Sequence, residues 1–182
     1  MDTAETWHVS ISSKRKVLGS ALKEMEAFKL EQSDIPLIIR LVENPKYDIG
    51  LFAGNVDLFS HDCIHVLLGR GLRLKDEAFV IGYTMGSTKK MRRWRRNLFL
   101  FVSKFYPEGY AFTEKERFVF NMGVMAGSLC GSDLSKVDFS QFLNEKIQKV
   151  RKKLGIDVDL LYNCYTVEKK CFPSCEESQR LI

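Results

Sequence analysis

The amino-acid sequence predicts an all-α protein, a single-domain bundle of about six helices with a hydrophobic pocket. Apolar residues recur at helical spacing along most of the chain, with capping residues before these stretches and glycine or proline after them. Strand-like patterning is confined to residues 162–167. With 182 residues, of which 45% are hydrophobic and 28% charged, the chain can bury a core without disulfides.

The first half of the chain predicts three helices. A serine pair precedes the first, over residues 13–31, and a Ser-Asp-Ile-Pro sequence opens the second, over residues 33–44. The turn-rich residues 47–54 lead to a third helix over residues 55–69, which ends at glycines. The first helix carries its apolar stripe on Val17, Leu18, Ala21, Leu22, Met25 and Phe28.

The second half predicts three further helices. The first is long, over residues 76–105, and stops before a proline. A capping box opens the next helix, over residues 113–130, and an aspartate caps the last, over residues 138–154, which a glycine ends. We therefore expect a helical domain over residues 1–156 and a C-terminal tail over residues 157–182.

Two of these helices carry a Gly-x-x-x-Gly motif, formed by Gly82 and Gly86 in one and by Gly123 and Gly127 in the other. Small residues on one face permit close helix crossing or leave room for a ligand chain, and these helices are too charged for a membrane dimer. Because glycine inside a helix costs about 1 kcal/mol, it needs a reason. The motifs favour close packing within the bundle.

Two of the three histidines, His61 and His65, lie four residues apart with Asp62 between them. At ~100° per residue, these three side chains fall on one face of a helix. Glu77 lies in the first turn of the next predicted helix, and the short loop over residues 69–75 lets the two helices approach each other. Two imidazoles and two carboxylates form a ligand set for a divalent metal.

Each of these residues has a simpler explanation when it is taken alone. A single helical histidine is usually satisfied by a backbone carbonyl, and a glutamate in a first turn is favourable there. Two imidazoles and a carboxylate on an apolar helix are costly to bury without a shared partner, however. The pattern predicts a metal site of His61, Asp62, His65 and Glu77, in which Asp62 either binds the metal or orients a histidine.

The His-Asp-x-x-His motif at residues 61–65, followed by eleven residues and Glu77, resembles the motif of the coenzyme Q biosynthesis protein 4 family. The end of the last helix, at residues 149–156, is also similar to that family. The resemblance spans residues 33–156. One departure is Asp76, where the family often has glycine. The absence of a transit peptide suits a bacterial-type member.

The resemblance implies a peripheral membrane protein of ubiquinone biosynthesis that binds a divalent metal beside a tunnel for a polyprenyl chain. The metal residues His61, Asp62, His65 and Glu77 are then also the catalytic ones, and the metal (Zn, Mg, Mn, Fe or Co) stays open. The activity implied is removal of the C1 carboxylate from a polyprenyl hydroxybenzoate, or organisation of the other pathway enzymes. The lipid pocket would then lie among residues that, taken singly, are better explained as ordinary core: Phe79, Tyr83, Met85, Leu98, Phe101, Met122 and Met125.

As a mechanism, we expect a metal with open positions to bind the oxygens of the head group and stabilise charge as the carboxylate leaves. An oxidative step would need iron or manganese. One alternative function is a non-catalytic scaffold that binds a prenyl lipid or prenyl-phosphate. Another is a metal-dependent phosphohydrolase, which ranks lower because His8 is the only further histidine and lies in an N-terminal segment.

The net charge of +5 is concentrated in a basic run around Trp94. Such a run suits an anionic membrane surface or head group, and a solvated face explains it equally well. Nucleic acid is not favoured, because no binding motif accompanies the charge. Other quinone-biosynthesis proteins and a second copy of the chain are further candidate partners. The basic run comprises Lys89, Lys90, Arg92, Arg93, Arg95 and Arg96, and a second basic group comprises Lys146, Lys149, Arg151, Lys152 and Lys153.

The cysteine count and the N-terminus point to a reducing compartment. The five cysteines form no CxxC pair, so Cys164, Cys171 and Cys175 are expected to be free thiols. The N-terminus lacks the features of a signal peptide, and the longest uncharged stretch, over residues 118–132, is too short to span a bilayer. We therefore expect a cytoplasmic protein at the inner face of the cell membrane.

Overall fold

Helices form the regular structure of residues 6–29, 56–88, 93–103 and 111–182, which are the residues described by the computed structural model. Strand pairing within these ranges is limited to one isolated antiparallel bridge between Val17 and Lys146. The predicted all-α class is confirmed. The α-helices are α1 (Leu18–Lys29), α2 (Leu58–Leu68), α3 (Leu74–Ser87), α4 (Arg93–Val102), α5 (Glu114–Ser128), α6 (Ile147–Leu154), α7 (Val158–Cys171) and α8 (Glu176–Gln179), with short 3-10 turns at Leu134–Lys136 and Phe139–Phe142 between α5 and α6.

The first helix begins at Leu18, not at residue 13. The residues just before it pair in extended form with the chain that leads into α6: the Leu18 N–H donates to the Glu145 carbonyl at 3.0 Å, and the Ile147 N–H donates to the Lys16 carbonyl at 2.9 Å. This tertiary pairing outweighs the local helical pattern. The helix predicted over residues 33–44 and the link over residues 47–54 lie outside the described residues.

The long helix predicted over residues 76–105 is wrong, because α3 ends at Ser87 and α4 is a separate element. Two hydroxyl groups bind the carbonyls of the last turn of α3. The Ser87 hydroxyl donates to the Thr84 carbonyl at 2.7 Å, and the Thr88 hydroxyl donates to the Met85 carbonyl at 2.9 Å. Such side chains compete with the backbone N–H groups for these carbonyls, which favours a helix end.

The helix predicted over residues 138–154 is divided into a 3-10 turn and α6. Asp138 caps the 3-10 turn, as the sequence predicted for a helix start, and Gly155 ends α6 with a left-handed φ of 68°. The interruption at residues 143–146 arises where this segment pairs with the residues that precede α1.

The residues after 156, predicted as a tail, contain α7 and α8 and pack against the main core. Residues 162–167, where the sequence has strand-like patterning, lie inside α7, which Asp157 caps by accepting the Leu160 N–H at 3.0 Å. Buried side chains recur there at helical spacing, and their burial outweighs the strand preference of tyrosine, threonine and valine. The buried residues of α7 are Leu161, Cys164, Tyr165 and Glu168.

Helices α3 and α5 touch along the two glycine motifs. A Cβ atom added at Gly127 would lie 2.1 Å from the carbonyl oxygen of Tyr83, and one added at Gly82, Gly86 or Gly123 would lie 2.3 to 2.5 Å from an opposing backbone oxygen. Only glycine allows backbones to approach so closely. The geometry confirms the prediction of close packing and explains why glycine is present in helix interiors.

The main core joins the N-terminal segment, α1, α2, α3, α5, α6 and α7. A smaller cluster between α3, α4 and α5 is built on Phe99 and Phe120, whose rings stack with centroids 4.9 Å apart. Within the described ranges, none of the helices combines the length and the apolar character needed to cross a membrane.

Candidate metal centre

Helix α2 presents His61 and His65 side by side. Asp57 fixes the start of the helix, because its carboxylate accepts the N–H of Ser60 at 2.9 Å and the Ser60 hydroxyl at 2.8 Å. The four-residue spacing places the two histidines on one face, where their ring centroids lie 4.6 Å apart. The predicted pairing of the imidazoles is confirmed.

A tight turn after α2 brings the third residue of the site into place. Gly69 ends the helix with a left-handed φ of 72°, and the Arg70 N–H donates to the His65 carbonyl at 3.0 Å. A side chain at Gly69 would also meet the Val9 carbonyl oxygen at 2.7 Å. Glycine is therefore needed for both the conformation and the space. Helix α3 then starts at Leu74 and carries Glu77 in its first turn.

The Glu77 carboxylate contacts both imidazoles. Its Oε2 lies 3.3 Å from His61 Nε2, and its Oε1 lies 3.2 Å from His65 Nε2. One ligand atom from each of the three residues lies within 4.8 Å of the other two. This group could hold a metal ion.

The backbone fixes the orientation of the His65 ring. Its Nδ1 donates to the Gly71 carbonyl at 2.7 Å, which requires a proton on Nδ1 because a carbonyl only accepts. In the neutral ring, the lone pair is then on Nε2, the atom that faces Glu77. Metal-binding histidines are usually held by such a bond from the other ring nitrogen.

The three side chains are largely removed from water, with His65 1%, Glu77 6% and His61 9% exposed. Burial alone would raise the pKa of Glu77, but the charges of His65 and His61 lower it well below its usual range. Glu77 is thus a carboxylate at neutral pH, the form that binds a metal. His61 is the most exposed of the three.

Asp62 is buried beside this group but does not belong to it. Its Oδ1 lies 4.0 Å from His61 Nδ1, on the side of the ring opposite the Nε2 atom that faces Glu77. The structure therefore brings together three of the four predicted metal residues and places Asp62 behind one of them.

A buried ionic network behind the site was not predicted from the sequence. The Arg70 side chain is fully buried, donates to Glu168 Oε2 at 2.6 Å and lies 3.7 Å from Asp76 Oδ1. Its guanidinium also lies over the rings of Phe79 and Tyr165. Asp76 is thus an ion-pair partner. Arg70 and Glu168 are 98 residues apart, and no local pattern could have paired them.

The residues expected to line a lipid pocket do not lie on one common surface. Phe79, Tyr83, Met85 and Met122 are buried in the two hydrophobic clusters, and Leu98 is half-buried. Phe101 and Met125 are 57% and 56% exposed. A surface cleft of about 380 Å³ lies elsewhere, and its lining residues are Val17, Gly19, Ser20, Leu22, Lys23, Glu26, Phe59, Leu143 and Asn144.

The two basic groups fall on different parts of the structure. Lys89, Lys90 and Arg92 lie outside the described residues, and Arg93, Trp94, Arg95 and Arg96 belong to the first turn of α4. In the second group, Arg151 is not a surface charge. It is 2% exposed and donates to the carbonyls of Leu67 and Ile11, both at 2.7 Å.

Comparison of the chain with protein-family models, with curated proteins and with solved structures finds no match.

Proposed function

We propose that His61, His65 and Glu77 bind one divalent metal ion that serves a metal-dependent reaction. The observation that carries the proposal is the Glu77 carboxylate, which lies 3.3 Å and 3.2 Å from the Nε2 atoms of the two imidazoles in a desolvated site. Two imidazole nitrogens and a carboxylate suit zinc, iron or manganese. Three protein ligands leave positions for a substrate, which is typical of catalytic sites.

In this proposal, Asp62 orients His61 from behind. His61 Nδ1 is buried and has no hydrogen-bond partner among the described residues, and Asp62 Oδ1 at 4.0 Å is the adjacent acceptor. A small approach of the two groups would give His61 the same support that the Gly71 carbonyl gives His65. Such partners fix the ring and raise its basicity as a ligand.

The resemblance to the coenzyme Q biosynthesis protein 4 family supports the proposed substrate, a polyprenyl hydroxybenzoate that loses its C1 carboxylate as carbon dioxide while a proton from solvent takes its place on the ring. A bound divalent ion would polarise the head-group oxygens and stabilise the charge that develops as the carboxylate leaves. The chain itself would hold the two imidazoles and Glu77 in fixed positions and keep water from the inner side of the site. In the same proposal, the protein lies at an anionic membrane surface, where a polyprenyl substrate resides.

Metal analysis tests the binding proposal. We expect the purified protein to hold one divalent ion per chain, and His61→Ala, His65→Ala and Glu77→Gln to lose it. His8→Ala is the matched control, because His8 lies in the N-terminal segment and its Nδ1 bonds to the Thr6 carbonyl at 3.2 Å. Circular dichroism checks that each variant folds. Equal metal content in the wild type and the site variants would refute the proposal.

A decarboxylation assay tests the reaction. Polyprenyl hydroxybenzoate in anionic liposomes is incubated with the metal-loaded protein, and carbon dioxide release and the decarboxylated product are measured. We expect turnover by the wild type and by His8→Ala, and none by Glu77→Gln. If the protein retains an isoprenoid but releases no product, it is a lipid-binding scaffold and the enzymatic proposal is wrong. Sedimentation with the same liposomes measures the membrane association.

A further inference from the structure

The first turn of α3 carries three consecutive charged residues, Lys75, Asp76 and Glu77, and all three are buried. Glu77 faces the histidines of α2. Lys75 and Asp76 instead contact the C-terminal segment, which we define as residues 172–182. One helical turn thus connects the candidate metal centre with the C-terminal segment.

Asp76 binds this segment through its carboxylate. The side chain is fully buried, forms an ion pair with Arg180 and accepts the Arg73 N–H at 3.2 Å. The second contact caps α3, because it satisfies an N–H group that lies before the first helical turn. Asp76 therefore fixes the start of the helix and attaches it to Arg180.

Lys75 forms the second attachment. Its ammonium donates to Cys175 Sγ at 2.7 Å and to Ser178 Oγ at 3.1 Å, and it lies 3.6 Å from Glu177 Oε2. It also lies 4.6 Å from the centroid of the Phe172 ring. Only 1% of the residue is exposed, so these contacts replace its hydration.

A chain of polar contacts links these two attachments through α7. The Ser178 hydroxyl, which accepts from Lys75, donates to Glu168 Oε1 at 2.9 Å. The other oxygen of Glu168 accepts from Arg70 at 2.6 Å, and Arg70 lies 3.7 Å from Asp76. The Arg73 guanidinium also joins the network, 3.6 Å from Glu177 Oε1. The network thus contains four cations and three anions: Arg70, Arg73, Lys75, Arg180, Asp76, Glu168 and Glu177.

We infer that the C-terminal segment is a clasp that positions Glu77 for metal binding, with Arg180 as a positioning residue. This inference rests on the proposed metal site. The first turn of a helix has the fewest internal hydrogen bonds, so external contacts decide how firmly its side chains are held. Releasing Asp76 from Arg180 removes one of the two attachments that hold the turn carrying Glu77. Partners that bond a metal ligand directly are worth roughly 10- to 100-fold in metal affinity, and Arg180, which acts through Asp76, is expected at the lower end of this range.

Calorimetric titration of the full-length, metal-free protein with Mn²⁺ tests the clasp. We expect the dissociation constant of Arg180→Met to rise on the order of 10-fold or more, and that of Arg180→Lys to rise less. Lys153→Met is the matched control, because it removes a surface ion pair in which Lys153 Nζ lies 2.6 Å from Glu145 Oε1. All titrations are made well below the unfolding temperature of each variant, so that a lower global stability alone would leave the affinity unchanged.

The coupling must also operate in the opposite direction, because linkage between two sites is reciprocal. In the wild type, Mn²⁺ is expected to slow amide hydrogen exchange in residues 172–182, and His61→Ala removes this effect. If Arg180→Met does not fold, Ser178→Ala replaces it, since it removes one hydroxyl from the same network.

The outcomes separate the two proposals. If the wild type binds no metal, the proposed function fails and the clasp fails with it. If the wild type binds Mn²⁺ and Arg180→Met binds it equally well, or if exchange in residues 172–182 ignores the metal, only the clasp is overturned.

Discussion

We expect Gly127→Ala to destabilise the protein by about 3 kcal/mol, although alanine is the better helix former. The added methyl group would lie 2.1 Å from the Tyr83 carbonyl oxygen, 2.8 Å from its carbonyl carbon and 2.9 Å from its Cα. All three atoms are backbone atoms inside α3, so no side chain can rotate away. The two helices must separate.

The magnitude follows from the size of that separation. To reach an ordinary contact of roughly 3.4 Å, the backbones must move apart by more than an ångström near Gly127. Overpacking of this kind costs about 1–3 kcal/mol, and the rigid neighbours place this case at the upper end. The lost contacts along the rest of the interface cost about 1 kcal/mol more. The higher helix propensity of alanine returns about 1 kcal/mol.

Thermal unfolding followed by circular dichroism measures the effect. For a protein of this size, 3 kcal/mol corresponds to a fall in Tm of about 6–12 °C. Met125→Ala, in the same helix but 56% exposed, is the matched control, and we expect it to change stability by less than about 0.5 kcal/mol. A Tm of Gly127→Ala equal to or above that of the wild type would refute the close backbone contact between α3 and α5.

Three further predictions concern the buried polar groups. Glu168→Gln leaves the buried Arg70 guanidinium without its carboxylate partner at 2.6 Å, and urea unfolding should show that the free energy of unfolding falls by about 3 kcal/mol or more. Glu145→Gln, which alters a solvent-accessible ion pair, is the control and should leave the free energy of unfolding nearly unchanged. Equal losses in the two variants would contradict the buried network. Burial, with the charges of Asp62 and Asp57, raises the pKa of the Cys63 thiol to about 12. A thiol reagent at pH 8 should therefore modify Cys171 and Cys175 in the folded protein, but Cys63 only after unfolding. Peptide mass spectrometry identifies the modified residues. The pKa of Glu77 is lower in the folded protein than its value of 4.5 in the unfolded chain, so ionised Glu77 stabilises the fold above pH 4.5, and this stabilisation is lost as the pH falls through the folded pKa. In chelator-treated protein, the free energy of unfolding of the wild type should therefore fall more steeply than that of Glu77→Gln as the pH is lowered below about 4.5. Parallel curves for the two proteins would show that Glu77 is not held by the imidazoles.

The predictable part of the site depends on short sequence separations. The spacing of His61 and His65 within one helix, and the tight turn before Glu77, were enough to predict that these side chains meet. Arg70 lies in the predicted loop over residues 69–75, and the sequence gives no sign of its role because its partner Glu168 is 98 residues away. Contacts of that kind depend on how whole helices pack, which no local pattern encodes.

The errors in the fold have the same origin. Residues 162–167 have the composition of a strand, yet they form a helix because Leu161 and Tyr165 fill the core on one face. The start of α1 was misplaced because Leu18 bonds to the Glu145 carbonyl, which lies far along the chain. By contrast, the glycine motifs were interpreted correctly, because glycine in a helix interior has few other reasons to be present.

The turn between α2 and α3 has a consequence for how this chain can vary in length. Adjacent helical residues point about 100° apart, so Lys75, Asp76 and Glu77 each face a different neighbour. Deleting or inserting one residue in the segment from Gly69 to Arg73 would shift the register of these three residues. The carboxylate that faces the imidazoles would then be replaced by another side chain. Gly69, Arg70, Gly71 and Leu72 are also buried, and only Arg73 is half-buried. We therefore expect this loop to tolerate a substitution at Arg73 but not a change in length.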